Sequence, residues 1–256
     1  MRYVIKLSFD GSGFSGWQKQ ANADSVQGEL SKALSLLCGA GTEVTGAGRT
    51  DTGVNAVNYV AHFDTETPVG DAEHLRYKLN AILPKEVAVH EIFPASDDFH
   101  ARFSAVSRQY RYFVHRPKDP FIEKFSYRCR RPLDTKAMND AAALLLGEHD
   151  FSCFEKTGSD NATSVCTVFE ARWEEYVPGH AEIMGYPRSE GDYLVFTIRA
   201  NRFLRNMVRA IVGTLLEIGL GRKEPSWVGE LLAGGTRSDA GQSVPGKALF
   251  LSEVEY

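Results

Sequence analysis

The order of apolar periodicities constrains this chain most. Along its 256 residues, the pattern strand, helix, strand, strand, helix, strand occurs twice in succession. In the first half, alternation and β-branched content predict strands over 3–9, 43–47, 59–64 and 87–93. Apolar residues at three- and four-residue spacing predict helices over 25–37 and 72–82. Asp24 and Gln27 resemble a capping box for the first helix, and Gly39 follows its end. In the second half the predicted strands are 109–115, 167–176, 193–200 and 248–254. The helices there are 135–146, opened by Asp134, then 203–218 and a shorter one over 226–232. Two β-α-β-β-α-β units predict an α+β fold of two ferredoxin-like halves, residues 1–105 and residues 106–256. Such sheets carry helices on one face and leave the other free, the face on which many RNA-binding sheets receive their ligand.

Composition narrows the class. No apolar run approaches membrane-spanning length, and the start alternates like a strand instead of building a signal peptide. Cys38, Cys129, Cys153 and Cys166 form no C-x-x-C pair, and the histidines supply no compact ligand cluster, so reduced cytoplasmic thiols and no metal are expected. The formal net charge is −4, yet charge is unevenly distributed. Between Arg102 and Arg131, nine basic residues (Arg108, Arg111 and Arg116 among them) face only Asp119 and Glu123. A second group, Arg199, Arg202, Arg205 and Arg209, contains no acid. Local positive charge on a mildly acidic chain fits a polyanion held at one place, and equally a solvated face. Irregular stretches over 94–106, 117–131 and 151–166 are long for inert loops.

The segment Gly46-Ala-Gly-Arg-Thr-Asp-Thr-Gly53 lies between two predicted strands, and its glycines permit tight turns and close approach by a ligand. Arg49 and Asp51 are two residues apart, so in extended backbone they project to the same side. An arginine beside a carboxylate favours its ionised form, as a nucleophile requires. A phosphate-binding P-loop would need Gly-Lys-Ser/Thr, which is absent. A dinucleotide fingerprint would need glycine where Asp51 stands. Asp51-Thr52-Gly53 resembles an aspartic-protease triplet, which would demand a symmetric pair, and a purely structural Gly-rich turn held by an Arg–Asp pair is a fourth reading.

Two further segments stand out. After Asp98-Phe-His-Ala-Arg-Phe-Ser-Ala105, a strand places Tyr110 and Tyr112 on one face and Arg111 and Phe113 on the other. A tyrosine there could stack on an extruded base, although alternation alone favours a core role for either one. In Asn201-Arg-Phe-Leu-Arg-Asn-Met-Val-Arg-Ala-Ile-Val-Gly213, helical spacing places Arg202, Arg205, Asn206, Arg209 and Gly213 on one stripe. Leu204, Met207, Val208, Ile211 and Leu215 fall opposite. Arg205 and Arg209 would then sit one turn apart and address one anion.

Together these motifs resemble the tRNA pseudouridine synthase A family over nearly the whole chain. They begin with Phe9-Asp-Gly-Ser-Gly-Phe-Ser-Gly-Trp-Gln18 and Ser25-Val-Gln27, and continue through Gly48-Arg-Thr-Asp-Thr-Gly-Val54 and Phe99-His-Ala-Arg-Phe-Ser104. Arg108 to Tyr112, Asn201 to Gly213 and Leu249-Phe-Leu251 complete the set. The resemblance implies a cytoplasmic homodimer of two-domain subunits, with a continuous, mostly antiparallel sheet and a basic cleft for the tRNA anticodon arm. It also implies isomerisation of uridine at tRNA positions 38–40 without metal, nucleotide or redox cofactor. Asp51 would be the nucleophile, Arg49 would hold the flipped nucleotide, Tyr110 would stack on the base and Arg209 would pair with Asp51. Leu249 would line the pocket, and Arg102, Arg111, Arg202, Arg205 and Asn55 would contact substrate. Asn55 stands where the family usually has histidine, Asn58-Tyr59 replaces Gly-Gln, and Ala248 replaces glycine. A non-catalytic RNA-binding module on the same fold, or an acid hydrolase built on Asp51, would share parts of this pattern.

Overall fold

The computed structural model describes residues 1–158 and 162–256. Among them, ten strands and six α-helices make a mixed α+β fold in which antiparallel pairing predominates. The backbone divides into two units, Met1–Arg108 with Phe250–Tyr256, and Gln109–Leu249.

The first unit runs β1 (Arg2–Phe9), α1 (Val26–Cys38), β2 (Val44–Gly46), β3 (Asn55–Asp64), α2 (Ala72–Ile82), β4 (Val87–Ala95). Strand β1 lies between β4 and β3, antiparallel to both, with Ile5 opposite Ile92 on one side and Ala61 on the other. Strand β2 pairs antiparallel with β3, Val44 facing Phe63, which completes a ferredoxin-like β4-β1-β3-β2 order. The chain's last strand, β10 (Leu249–Glu255), runs parallel to β3 at Phe250–Asn55 and Leu251–Ala56. Ile5, Leu7, Leu30, Leu34, Tyr59, Phe63 and Leu79 fill the core.

Helix α2 has its expected bounds, and Asp71 caps it by accepting from His74 N at 2.9 Å. The capping box expected at Asp24 and Gln27 is corrected. Ser25 is the cap, its hydroxyl accepting from Gly28 N at 3.2 Å. Gln27 instead ties the helix to its neighbours, accepting from Lys19 N and donating to Val44 O, both at 2.8 Å.

The second unit runs β5 (Ser107–His115), β6 (Tyr127–Arg128), α3 (Thr135–Ala143), β7 (Gly147–Asp150), β8 (Val165–Glu175). It continues α4 (Gly179–Met184), β9 (Tyr193–Ala200), α5 (Met207–Gly219), α6 (Trp227–Leu232). Strand β9 lies between β5 and β8, as β3 lies between β1 and β2 in the first unit, so the repeat seen in the sequence is a repeat of topology. Helix α3 lies against α5 and β8, and its buried Met138 packs on Gly219 of α5, where a Cβ would stand 2.3 Å from Met138 Sδ.

Three expectations for this unit need correction. Helix α3 ends at Ala143, because Leu144, Leu145 and Leu146 donate to carbonyls three residues back and tighten the last turn. Helix α5 begins at Met207, not at 203, because Asn206 has φ 65°, left-handed backbone that an α-helix cannot contain. The short elements β6, β7 and α4 are additions. Gly147-Glu-His-Asp150 has no apolar alternation and is held by its register with β8. The irregular stretch over 151–166 includes residues 159–161, which lie outside the described residues. No described helix is long and apolar enough to cross a membrane.

Candidate active site

The Asp51 loop connects β2 to β3, and residues 10–17 wrap it. At Gly11 a Cβ would stand 2.1 Å from Val54 O, and at Gly46 it would stand 2.2 Å from Tyr59 Oη. Gly16, at φ 94°, lies equally close: its Cβ would be 2.3 Å from Thr50 O. Contacts this short exclude any side chain unless backbone moves at Gly11 and Gly16, or the Tyr59 and Trp17 rings move at Gly46. Hydrogen bonds follow the same path. Trp17 N donates to Thr50 O at 3.3 Å, Gly53 N to Phe14 O at 3.4 Å, and Val54 N closes a turn on Asp51 O at 3.1 Å. Tyr59, stacked on Trp17 at 4.1 Å between centroids, donates its hydroxyl proton to Gly48 O. The Phe9–Gln18 motif is therefore the scaffold of the 46–54 loop.

Within that scaffold Thr50 is buried, Asp51 half-buried and Arg49 exposed, with Arg49 Nε donating to Gln18 Oε1 at 3.2 Å. This in–out alternation puts Arg49 and Asp51 on the side away from buried Thr50. Asn55, expected to contact substrate, is buried, and its Oδ1 accepts from Gly11 N at 2.9 Å. It joins the wrapping segment to the end of the loop.

The segment after β4 also belongs to this region. Arg108 donates to Ala105 O at 3.1 Å and to Ala47 O at 3.1 Å, and also to Arg102 O. One guanidinium thus links the 97–105 loop to the residue where β2 enters the Asp51 loop. Buried His62 accepts from Ala101 N at 3.1 Å through Nδ1, and burial pushes its pKa down to about 4, so it stays a neutral acceptor. The sequence does not show either link, because Ala101 lies 39 residues from His62 and Ala47 lies 61 residues from Arg108. Arg102 remains exposed.

In the second unit, Tyr110 and Tyr112 share a face of β5 but differ in burial. Tyr112 is fully buried, donates to Pro245 O at 3.2 Å, and is the core tyrosine. Tyr110 is half-buried, with Phe203 edge-on at 5.1 Å between centroids, while Arg111 is exposed. The basic stripe over 201–213 is corrected. Arg205 is exposed and precedes the helix, so it is not one helical turn from Arg209. The face carrying Arg209 and Gly213 meets residues 241–244. Arg209 Nε donates to Val244 O at 2.7 Å, and Val244 N returns a bond to Arg209 O at 3.2 Å. A Cβ at Gly213 would be 1.7 Å from Gln242 O. Asn206 reaches the same segment, Nδ2 donating to Ser243 Oγ at 2.6 Å. The apolar side is as expected, with Leu204, Met207, Val208, Ile211 and Leu215 all buried. Arg202 is half-buried, and Leu249 and Ala248 are buried where β10 begins.

The expected residues thus fall in both units: Arg49, Asp51, Asn55 and Arg102 in the first, Tyr110, Arg111, Arg202, Arg205, Arg209 and Leu249 in the second. Comparison with known proteins gives a consistent picture. A family model described as tRNA pseudouridine synthase matches residues 141–256. A Parabacteroides distasonis protein named tRNA pseudouridine synthase A is 46% identical over 255 residues, covering 100% of this chain and 96% of its own. Proteins of the same name from Bacteroides fragilis and Syntrophotalea carbinolica are 43% and 40% identical, over 100% and 99% of this chain and 96% of their own in each case.

Proposed function

The chain belongs to the tRNA pseudouridine synthase A family, and we propose that it converts uridine to pseudouridine in the anticodon arm of tRNA, at positions 38–40, with Asp51 as nucleophile. In this isomerisation the C1′–N1 bond breaks, the base turns, and C5 joins C1′. The C5 proton leaves and N1 gains one, so the product has the composition of the substrate. No oxidation, energy source or group donor enters that balance.

The observation that carries the reading is the construction of the Asp51 loop. Glycine contacts and hydrogen bonds fix its backbone, while the carboxylate stays half-buried beside an exposed arginine. A nucleophile needs this combination of fixed position and access. Arg49 orients the extruded nucleotide, Tyr110 stacks on its base, Leu249 lines the pocket and Arg209 pairs with the carboxylate. Arg102, Arg111, Arg202 and Arg205 supply phosphate contacts, whose worth depends on salt. Asn55 acts one step back, by holding Gly11 against the end of the loop. The working protein is a homodimer in this reading, which light scattering of the purified chain would test, and a cytoplasmic one, which cell fractionation would test.

The deciding experiment is tritium release from tRNA carrying [5-³H]uridine, with the wild type beside Asp51→Asn. Release by the wild type, with at least about a thousandfold less by the variant, is expected, because removing a covalent nucleophile removes the route itself. Equal release would remove Asp51 from the chemistry. No release from either protein, with tRNA still bound, would make the chain a binding module.

A further inference from the structure

Residues 99–104 form a loop in which every backbone N–H has an acceptor. Phe99 N donates to Ser96 O at 3.1 Å, His100 N to Ser104 Oγ at 2.9 Å, and Ala101 N to His62 Nδ1 at 3.1 Å. Arg102 N and Phe103 N both donate to His100 Nδ1, at 3.1 and 3.3 Å, and Ser104 N donates to His100 O at 2.8 Å. The carbonyls are held as well. Arg2 donates to Asp97 O and Phe99 O, each at 2.8 Å, and the Tyr256 hydroxyl donates to Ala101 O at 2.7 Å.

This bracing uses side chains from β1, β3 and the chain's last residue, and it leaves two side chains of the loop unused. Phe103 is 75% exposed, and the Arg102 guanidinium lies over its ring at 5.4 Å. A series of rings supports it from within: buried His62 meets His100 at 4.9 Å between centroids, and His100 meets Phe103 at 4.4 Å. A phenylalanine presented by a backbone this fully hydrogen-bonded needs less ordering on binding than one on an unbraced loop. One ring beside one cation is too small for a stable protein interface, which takes about 800 Å² per partner. It matches the unit by which single-stranded nucleic acid is held, a base on an aromatic face with a phosphate beside it.

We propose that Phe103 and Arg102 form a fixed contact point for the RNA substrate, Phe103 stacking on an unpaired base and Arg102 meeting the adjoining phosphate. This contact is separate from the base that reacts, and it rests on the tRNA-modifying reading above. The test is equilibrium binding of unmodified tRNA transcript over a salt series, with tritium release and light scattering measured on the same proteins. Phe103→Ala should bind roughly tenfold more weakly with an unchanged salt slope, since stacking involves no counterion. Phe103→Trp, which keeps a stacking face, should bind as the wild type does. Arg102→Ala should lower the salt slope by about one. Wild-type affinity in Phe103→Ala overturns the inference. So does a change of oligomeric state in that variant, which would assign Phe103 to a contact between copies of the chain. If the wild type itself neither binds tRNA nor releases tritium, the functional reading fails. Intact wild-type release with unweakened Phe103→Ala binding sinks the stacking contact alone.

Discussion

The Asp51 loop and the 201–213 segment are both glycine- and arginine-bearing motifs, but they use these residues in opposite ways. In the first, glycines at 11, 16 and 46 bring backbone and rings against the loop, and the arginine within it, Arg49, stays exposed. In the second, Gly213 lets residues 241–244 lie on α5, and Arg209 binds that same segment through Val244 O. Position in a motif therefore does not tell which arginine also anchors backbone. The nearest carbonyl decides, because a guanidinium left beside a partly buried carbonyl satisfies both groups.

The largest effect should come from filling the close contacts. Gly213→Ala and Gly11→Ala should each cost roughly 3 kcal/mol or more, since their Cβ atoms would lie 1.7 and 2.1 Å from carbonyl oxygens. Gly48→Ala, with nothing within 4 Å of its Cβ, is the control and should melt near wild type. Chemical denaturation of the three variants checks this, and a similar loss at Gly48 would break the packing argument.

Next is Asn55→Ala, which leaves the Gly11 N–H buried without its 2.9 Å acceptor and should cost about 2 kcal/mol. Asn55→Asp, which keeps an oxygen in place, should recover part of the tritium-release rate; no recovery would separate Asn55 from loop positioning. The smallest effect sharpens the contrast between the arginines. Arg209→Ala should lose about 1 kcal/mol of stability with its bond to Val244 O, while Arg49→Ala, whose Gln18 bond is exposed, should stay within about 0.5 kcal/mol. Equal losses at Arg49 and Arg209 would erase the distinction.

The order of elements was legible because a strand such as Tyr193–Ala200 carries its continuous apolar run, and a helix such as Ala72–Ile82 its four-residue apolar spacing, within its own residues. The spacing of Arg49 and Asp51 is local in the same way, and the burial of Thr50 between them follows it. What failed depended on partners elsewhere. The start of α5 turns on a left-handed Asn206 bonded to Ser243, and Gln27 follows Lys19 and β2 instead of capping its helix. Tyr110 and Tyr112 look alike in alternation, and only their surroundings separate a half-buried ring from a core one.

By itself, then, the sequence determined the twofold β-α-β-β-α-β repeat, the apolar side of α5, and the family to which the ordered motifs point. The tertiary structure alone decided that Phe9–Gln18 supports the Asp51 loop and that β10 joins β3, with Phe250 opposite Asn55. It also decided that His62, Arg108 and Tyr256 hold a loop whose sequence does not mention them. The physical reason is the same in each case. Periodicity is a local property of the chain, whereas the partner of a buried hydrogen-bonding group is chosen by what the fold brings within about 3 Å of it.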